Sequence, residues 1–389
     1  MESIYLTDKN KELQSENSFE VLVDSEAFKQ RLELLIPQAK KSVYIQTMTF
    51  EGDSAGEWLI ELLVNSKADD IRLCIDSYSK LVINDNFIYS PKYFSDKHFR
   101  KEVINTKRIL KLAKSKGIKV TFTNPLGFLF LKYPFRNHKK IVVIDEEISF
   151  IGGINFSDHN FEWHDIMISL KDISISKLLA KDIRHTCELK NQNTEYKTGN
   201  SELHFLDGYK SRKKYDQIFS TLNRAKKSIK VFSPYLSDPL LSYLKNKVPS
   251  HIELIVMTPE QNNKSLFKSI LANEFLKGYF SLRFYKGKMS HLKAILVDDH
   301  TLIAGSSNFD FVSYYFEQEV ILITQEVTLV KDFINKVVLP DFENSYEPSK
   351  DGFKNSFISS AVYVVVLRLC SILASIRSFY QSIFQTGRD

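Results

Sequence analysis

The sequence predicts an α/β fold: two similar α/β/α sandwich domains with mixed sheets, related by pseudo-twofold symmetry and sharing one active site at their interface. Three observations carry this expectation. A phrase written His-x-Lys-x4-Asp, followed by Gly-(Gly/Ser)-x-Asn, occurs at His138, Lys140, Asp145, Gly152, Gly153 and Asn155, and again at His291, Lys293, Asp298, Gly305, Ser306 and Asn308, with identical internal spacing. A second echo precedes it, in which Ala39-Lys40-Lys41-Ser42-Val43-Tyr44-Ile45 returns as Ala225-Lys226-Lys227-Ser228-Ile229-Lys230-Val231. Helix-like and strand-like patterns then alternate along the chain, as in a sheet covered on both faces.

At 389 residues the chain can form two domains that each bury a core. They are expected over 1–190 and 202–345, joined by a polar linker over 191–201 and followed by a tail over 346–389. Each half opens as a helix, over Phe28 to Ala39 and Tyr215 to Ala225, because apolar residues recur there at helical spacing. A strand follows, from Val43 to Phe50 and from Ile229 to Phe232, where strand formers are concentrated. Ile71 to Ile75 and Ile252 to Met257 read as buried strands, and Lys107 to Lys116 as a helix closed by Gly117. The echo and the phrase lie further apart in the first half, which places an insertion within 76–118.

From Asn137 to Asp145 the β-branched residues mark a strand, whose period of two puts His138 and Lys140 on one face and Lys139 on the other. Asp145-Glu146-Glu147 then reads as a tight turn into a strand from Ile148 to Gly152. A turn centred between Glu146 and Glu147 would return Asn155 beside His138, and one centred between Asp299 and His300 would return Asn308 beside His291. Gly152, Gly153 and Gly305 leave room for a ligand or the other half to approach the backbone. Two imidazoles, two ammonium groups and two amides then surround one space, a set suited to a tetrahedral phosphate. Lys140, Lys293, Asn155 and Asn308 would hold its oxygens, one histidine would attack phosphorus and the other would protonate the leaving oxygen. The lysines supply the charge that magnesium brings to other phosphoryl transfers, so no metal and no cofactor is expected. Asp145 and Asp298 complete the candidate catalytic set, with local hydrogen bonding at a turn as the competing explanation for each.

The doubled phrase resembles the phospholipase D superfamily, whose mark is HxKxxxxD followed by GGxN or GSxN, and the resemblance runs roughly from Phe19 to Pro340. Gly152-Gly153, Arg136-Asn137-His138-Lys139-Lys140 and Trp163-His164-Asp165 look most like bacterial cardiolipin synthases. The second copy continues as Asn308-Phe309-Asp310 to Ser313, with Glu319 where the family pattern is acidic. The resemblance implies transfer of a phosphatidyl group through a phosphohistidine to a phospholipid hydroxyl, with a donor similar to phosphatidylglycerol and His138 as nucleophile by family habit. It also implies that Asp165 and Glu319 each orient a histidine through its other ring nitrogen. Gly153 and Ser306 are counted with Asn155 and Asn308 in the phosphate-binding set. The alternative is a phospholipase D-type hydrolase or nuclease using the same two histidines; a scaffold with a dead site is disfavoured because both phrases are whole. Three positions depart from the family pattern: His164 and Val312 stand where arginine is usual, and Glu317 where asparagine is usual. They leave the chemistry intact and bear on the acceptor and donor.

Lys plus Arg number 53 against 47 Asp plus Glu, a net +6 that suits anionic partners without demanding one. Cys74, Cys187 and Cys370 lie far apart without metal-ligand spacing, so neither a disulfide nor a zinc site is expected and a reducing compartment is. The N-terminus holds acids and lacks the apolar stretch of a secretory signal. Segment 125–135 packs aromatics between two prolines and is expected to dip into a membrane. Lys107, Arg108, Lys111, Lys114, Lys116 and Lys119 form a basic run that suits anionic lipid or nucleic acid, although such a run is more often a solvated helix face. Within 357–378, Ser360, Arg368, Ser371, Ser375 and Ser378 form one polar stripe on an otherwise apolar helix of nearly spanning length, expected to lie in the membrane interface rather than pack on its own domain or on a dimer mate. These greasy segments argue against nucleic acid. With no secretory signal read at the N-terminus, the protein is expected on the cytoplasmic side of a membrane, peripheral or anchored by its C-terminal tail.

Overall fold

The computed structural model describes residues 18–127, 132–190, 192–208, 210–353 and 357–384. Two mixed sheets form its frame. The first contains β1 (Ser18–Val23), β2 (Ser42–Thr47), β3 (Asp70–Asp76), β4 (Lys119–Thr123), β5 (Ile141–Ile144), β6 (Ile148–Gly152) and β7 (Ile166–Lys171), in the order β1-β7-β6-β5-β2-β3-β4. The second contains β8 (Thr194–Thr198), β9 (Ser201–Asp207), β10 (Ser228–Phe232), β11 (Glu253–Pro259), β12 (Ser281–Tyr285), β13 (Ala294–Val297), β14 (Thr301–Gly305), β15 (Gln318–Thr324) and β16 (Ser345–Tyr346). Its order is β8-β9-β15-β14-β13-β10-β11-β12-β16. Inside the flanking β8 and β16, the second sheet repeats the strand order of the first. Both contain a parallel run, β2-β3-β4 and β10-β11-β12, beside an antiparallel hairpin, β5-β6 and β13-β14.

Each central strand is apolar on both faces because both faces are covered. In β5, Ile141 and Val143 enter a core between the two sheets, while Val142 and Ile144 enter the outer core of the first half. The middle core draws on both halves: Ile168 and Leu179 meet Leu203, Phe205, Leu292 and Leu329. Helices Ile173–Cys187 and Val327–Phe333 contribute to it. The halves therefore bury one common layer of side chains between the sheets, and each half also has an outer core of its own.

Several expectations are corrected. The polar stretch expected as a linker contains β8, paired with β9 through a turn at Gly199, whose φ is +54°. Its alternating Thr194, Tyr196 and Thr198 are strand formers, which the polar composition masked. The hairpin registers are shifted by one residue: Val143 pairs with Ser149, and Ile295 with Ile303. Three-residue turns cause this, because Asp145, Glu146, Asp298 and Asp299 all take positive φ, between 53° and 58°. Cys74 on β3 and Cys187 at the end of its helix form a disulfide, with Cα atoms 6.3 Å apart and 113 residues between them in sequence. The helix crosses the sheet face that carries Cys74, a proximity that sequence separation hides. The reducing-compartment expectation thus loses its premise, while Cys370 is free.

Within the insertion, a turn (Ser77–Lys80), a two-stranded ribbon (Val82–Ile83 with Asn86–Phe87) and a short helix (Pro91–Ser95) precede a helix spanning Lys97–Ser115, longer than the expected Lys107 to Lys116. In segment 125–135, residues 128–131 lie outside the described residues, and the membrane-dipping expectation falls in part on them.

The tail forms one helix, Phe357–Phe384. It is docked on the second half: Tyr363 donates to Asp238 Oδ2 at 2.8 Å, and Asn273 Nδ2 donates to Ser360 Oγ at 2.9 Å. Val366, Leu367 and Cys370 pack into the same outer core. Val362, Val365, Leu369, Ile372, Leu373 and Ile376 remain exposed on the other side. The window Ser359–Ile376 is long and apolar enough to cross a membrane by length and composition alone. Packing on its own domain, the reading set second above, accounts for one face; the apolar outer face has no partner among the described residues.

Candidate active site

Main-chain pairing across the halves sets the geometry. The His138 amide donates to the Gln318 carbonyl at 2.9 Å, and the His291 amide donates to the His164 carbonyl at 2.7 Å. Each His-x-Lys segment is thus docked on the opposite half before its own hairpin begins, the first at the start of β15 and the second just ahead of β7. Arg136 Nη1 donates to Asp76 Oδ1 at 2.8 Å, and the Asn137 amide donates to Asp76 Oδ2 at 2.6 Å, holding the first segment on β3.

The acidic partners also cross over. His138 Nδ1 lies 3.0 Å from Glu319 Oε1, and His291 Nδ1 lies 2.7 Å from Asp165 Oδ2. A carboxylate acceptor places the proton on Nδ1 and leaves the Nε2 lone pair for chemistry. Glu319 is supported by Ser306 and by Ser313 Oγ, the latter at 2.8 Å. Asp165 also accepts from the Ile166 amide at 2.8 Å.

Both histidines open onto one small cleft of about 120 Å³, shared with Asn155, Asn308, Trp163, Tyr235 and Glu317. Trp163 packs on His291 with ring centroids 4.7 Å apart. Burial, reinforced by Lys140, pushes His138 down to about 3; burial and Lys293 do the same to His291, outweighing its hydrogen bond to Asp165. Burial opposes ionisation of Asp165, but Lys293 and His291 outweigh it and hold that carboxyl low. Burial pushes Glu317 up to about 7.

Lys140 and Lys293 are each 1 % exposed and sit behind their histidines, with Lys140 Nζ donating to the His138 carbonyl at 2.7 Å and Lys293 Nζ to that of His291. Asn155 Oδ1 accepts from Thr47 Oγ1 at 3.1 Å, which turns its amide nitrogen away from that partner. Asn308 Oδ1 is buried without a hydrogen-bond partner among the described residues.

Four candidates do not take the expected places. Asp145 lies at the far end of β5, accepting from the amides of Lys40, Lys41 and Ser42, the closest at 2.7 Å. Asp298 does the same for Lys226, Lys227 and Ser228 at 2.7 to 2.9 Å. The second echo therefore meets the aspartate of the first phrase in each half, and neither aspartate lines the cleft that holds the histidines. Either aspartate changed to alanine is expected to cost about 1–3 kcal/mol of stability, by orphaning amides at a strand start. Turnover per folded molecule should not change, as denaturation curves and kcat measured side by side would reveal. Gly153 and Ser306 do not line the cleft. Their amides donate to Ile166 and Val320 carbonyls at 3.1 and 3.0 Å, respectively. A Cβ on Gly153 would come within 2.2 Å of Asp165 Oδ2, so glycine is required for that carboxylate to reach His291. At the matching position the Ser306 hydroxyl instead holds Glu319.

Residues 32–187 and 218–337 match the family described as cardiolipin synthase, PLD-like domain. The chain belongs to this family. Among curated members of the cardiolipin synthase group, cardiolipin synthase 1 of Bacillus anthracis is 24 % identical over 379 residues, covering 87 % of this chain and 69 % of that protein. The major cardiolipin synthase of Bacillus subtilis is 24 % identical over 349 residues, covering 82 % and 68 %. In fold, the chain is similar to phosphatidylserine synthase of Haemophilus influenzae, with a TM-score of 0.64, 17 % identity and coverage of 92 % and 93 %.

Measured against this cardiolipin synthase family pattern, His164 is the most informative departure. It does not line the cleft. Its Nδ1 meets Asp24 Oδ1 at 2.8 Å and its Nε2 meets Asp341 Oδ1 at 3.1 Å, while its ring stacks on Tyr285 at 4.6 Å. Burial disfavours the charge, but hydrogen bonds to Asp24 and Asp341 win and push His164 up to about 10. It is a buried cationic clamp between the halves. A raised imidazole stabilises the fold fully below its unfolded value near 6.5 and loses that contribution as pH rises through about 10. The melting temperature should fall over this interval in the native protein, and the interval should flatten in His164→Gln.

Other cleft residues were not singled out by sequence. Tyr235 and Lys264 come from the second half, and Tyr78 and Asp85 from the insertion. Trp163, which the sequence marks only within Trp163-His164-Asp165, lines the cleft as well. Tyr78 and Asp85 carry no local signal, since their approach depends on how the insertion folds back.

Proposed function

We propose that this protein is a phosphatidyltransferase of cardiolipin synthase type that moves a phosphatidyl group from a phosphatidylglycerol-like donor to a phospholipid hydroxyl. The observation that carries the reading is the crossed pair, in which each histidine faces one cleft while an acid of the opposite half holds its Nδ1. Two equivalent imidazoles on one phosphate are what double displacement at phosphorus needs.

In the first step His138 Nε2 attacks phosphorus, the P–N bond forms and the P–O bond to the leaving glycerol breaks. His291 Nε2 gives its proton to that oxygen. In the second step His291 takes the proton of the acceptor hydroxyl, whose oxygen attacks phosphorus and breaks the P–N bond. Both imidazoles are neutral in the free cleft, which suits the nucleophile. The phosphodiester anion, brought beside His291 and Asp165, favours the protonated form of the acid. The amides of Asn155 and Asn308 meet the non-bridging oxygens, and Lys140 and Lys293 add positive charge from behind the histidines.

The exposed apolar face of the tail helix is the proposed membrane contact, set against the interface by Val365, Leu369 and Ile372. Purified protein incubated with phosphatidylglycerol in excess EDTA should yield diphosphatidylglycerol and free glycerol, read by mass spectrometry. Phosphatidic acid as the sole product would make it a hydrolase, and DNA cleavage without lipid turnover would reject the reading.

Glu317 supplies a pH dependence. Held neutral below about 7 by burial, it ionises beside Glu319 as pH rises and adds a negative charge to the site. Turnover is expected to decline above that pH, because the added charge repels the phosphate. In Glu317→Gln the decline should move to higher pH; an unchanged profile would exclude Glu317 as its source.

A further inference from the structure

We propose that the insertion of the first half carries a second, non-catalytic lipid site, which takes one acyl chain of an anionic phospholipid with the phosphate against a rim of lysines. The inference rests on the membrane reading above and adds a site to it. An open cavity of about 440 Å³ lies between the turn at Ser77–Lys80, the ribbon and the Lys97–Ser115 helix. That volume is within the range of about 300–1,000 Å³ typical of small-molecule sites. Ile83, Ile88, Val103, Leu110 and Phe122 give it apolar walls. Lys80, Lys107, Lys111 and Lys114 edge it.

The lysines have the placement of a headgroup site. Lys107, Lys111 and Lys114 share one helix face at four- and three-residue spacing, with Lys80 contributed by the turn. None of these four has a carboxylate partner among the described residues, although neighbours in the same basic run do. Arg108 pairs with Glu57 at 3.0 Å, and Lys119 with Asp70 at 2.9 Å. Of the cations in this run without a carboxylate partner among the described residues, Lys107, Lys111 and Lys114 border the apolar slot and Lys116 alone does not. Lys80 Nζ sits 4.0 Å from the Phe122 ring centroid, a cation at the edge of a greasy wall. Tyr89, 70 % exposed, also lines the cavity, adding an aromatic suited to the interface. Charge on a rim above an apolar slot is the complement of an anionic amphiphile, and a membrane phospholipid presents both parts together.

The site is distinct from the catalytic cleft yet coupled to it by one turn. Tyr78 lines the cleft, whereas Ser79 and Lys80 line the slot. Ser79 Oγ also donates to the Met48 carbonyl at 3.0 Å, and Met48 borders the cleft. An occupied slot would hold the cleft mouth close to the bilayer surface that supplies the substrate.

The test uses the full chain and vesicles of phosphatidylcholine with or without phosphatidylglycerol, together with phosphatidylglycerol carrying a diazirine on one acyl chain. The triple variant Lys107→Gln/Lys111→Gln/Lys114→Gln should bind phosphatidylglycerol vesicles about a hundredfold more weakly, at roughly fivefold per lysine, and bind phosphatidylcholine vesicles unchanged. Photolabelling should map to residues between Ile83 and Leu110 and be lost in Val103→Phe, which fills the slot. Both variants should turn over a water-soluble short-chain phosphatidylglycerol at the native rate. Native-like vesicle binding by the lysine variant would assign membrane contact to the tail alone and overturn the proposal, as would labelling that never reaches the slot. Displacement of the label by an oligonucleotide but not by excess phosphatidylglycerol would overturn it in favour of nucleic acid. His138→Ala should label normally while losing turnover. A native chain that labels the slot but turns over no lipid would retain this site and remove the functional reading instead.

Discussion

His138→Ala is expected to lower kcat by about 10⁴-fold or more, and His291→Ala by a similar factor, with the fold retained. Each imidazole takes part in both chemical steps, so the losses should not add, and the double variant should be little worse than either single one. The fold survives because Glu319 keeps its bonds from Ser306 and Ser313, and Asp165 keeps the Ile166 amide. The measurement is steady-state transfer by variants whose melting temperatures match the native protein. Turnover within tenfold of native in either would remove that histidine from the mechanism. A rapid denaturing quench at mildly alkaline pH, where the P–N bond survives, adds a separate readout: a phosphatidyl group on the His138 peptide is expected, and one found only on the His291 peptide would reverse the assignment of nucleophile and acid.

Loss of Lys139 should produce the largest stability effect. Although it stands between His138 and Lys140, it points the other way, into the core between the sheets, where Nζ donates to Asp182 Oδ2 at 2.5 Å and to Thr186 Oγ1 at 3.2 Å. Both partners are almost fully buried, at 1 % and 0 % side-chain exposure. Lys139→Met would leave Asp182 charged and unpaired in an apolar layer, at a cost of about 3–5 kcal/mol. Lys139→Met/Asp182→Leu should regain most of that loss, because it removes both charges together. Chemical denaturation of the two variants checks this directly. Equal destabilisation by both would mean that packing, not charge, governs the position.

The site was only partly legible in advance. The His-x-Lys spacing was readable because side chains two apart on extended backbone share a face whatever surrounds them. The alternation that placed Lys139 on the opposite face followed from the same rule. The turn register was not, because a centre on Glu146 and a centre between Glu146 and Glu147 differ only by backbone dihedrals that the residue types permit in both cases. Asp145 and Asp298 stood in a catalytic motif and proved to be clamps. Their acceptor role depends on Lys40 to Ser42 and Lys226 to Ser228, distant segments that the sequence displayed as a separate echo. Gly153 and Ser306 belong to the phosphate-binding set by sequence, yet their differing side chains reflect how Asp165 and Glu319 reach their histidines.

The sequence by itself determined the duplicated α/β plan, the two histidines, and the phosphoryl chemistry they suit, since these rest on local periodicity and on a repeated pattern. Only the tertiary structure decided that the acids cross over, Asp165 to His291 and Glu319 to His138. It also decided that His164 ties Asp24 to Asp341, that Cys74 meets Cys187, and that the insertion brings Tyr78 and Asp85 to the cleft. The physical reason is common to all of these. Each is a contact between segments far apart in the chain, made because the two sheets bury one shared core, and residue spacing carries no record of which distant surface a side chain will meet.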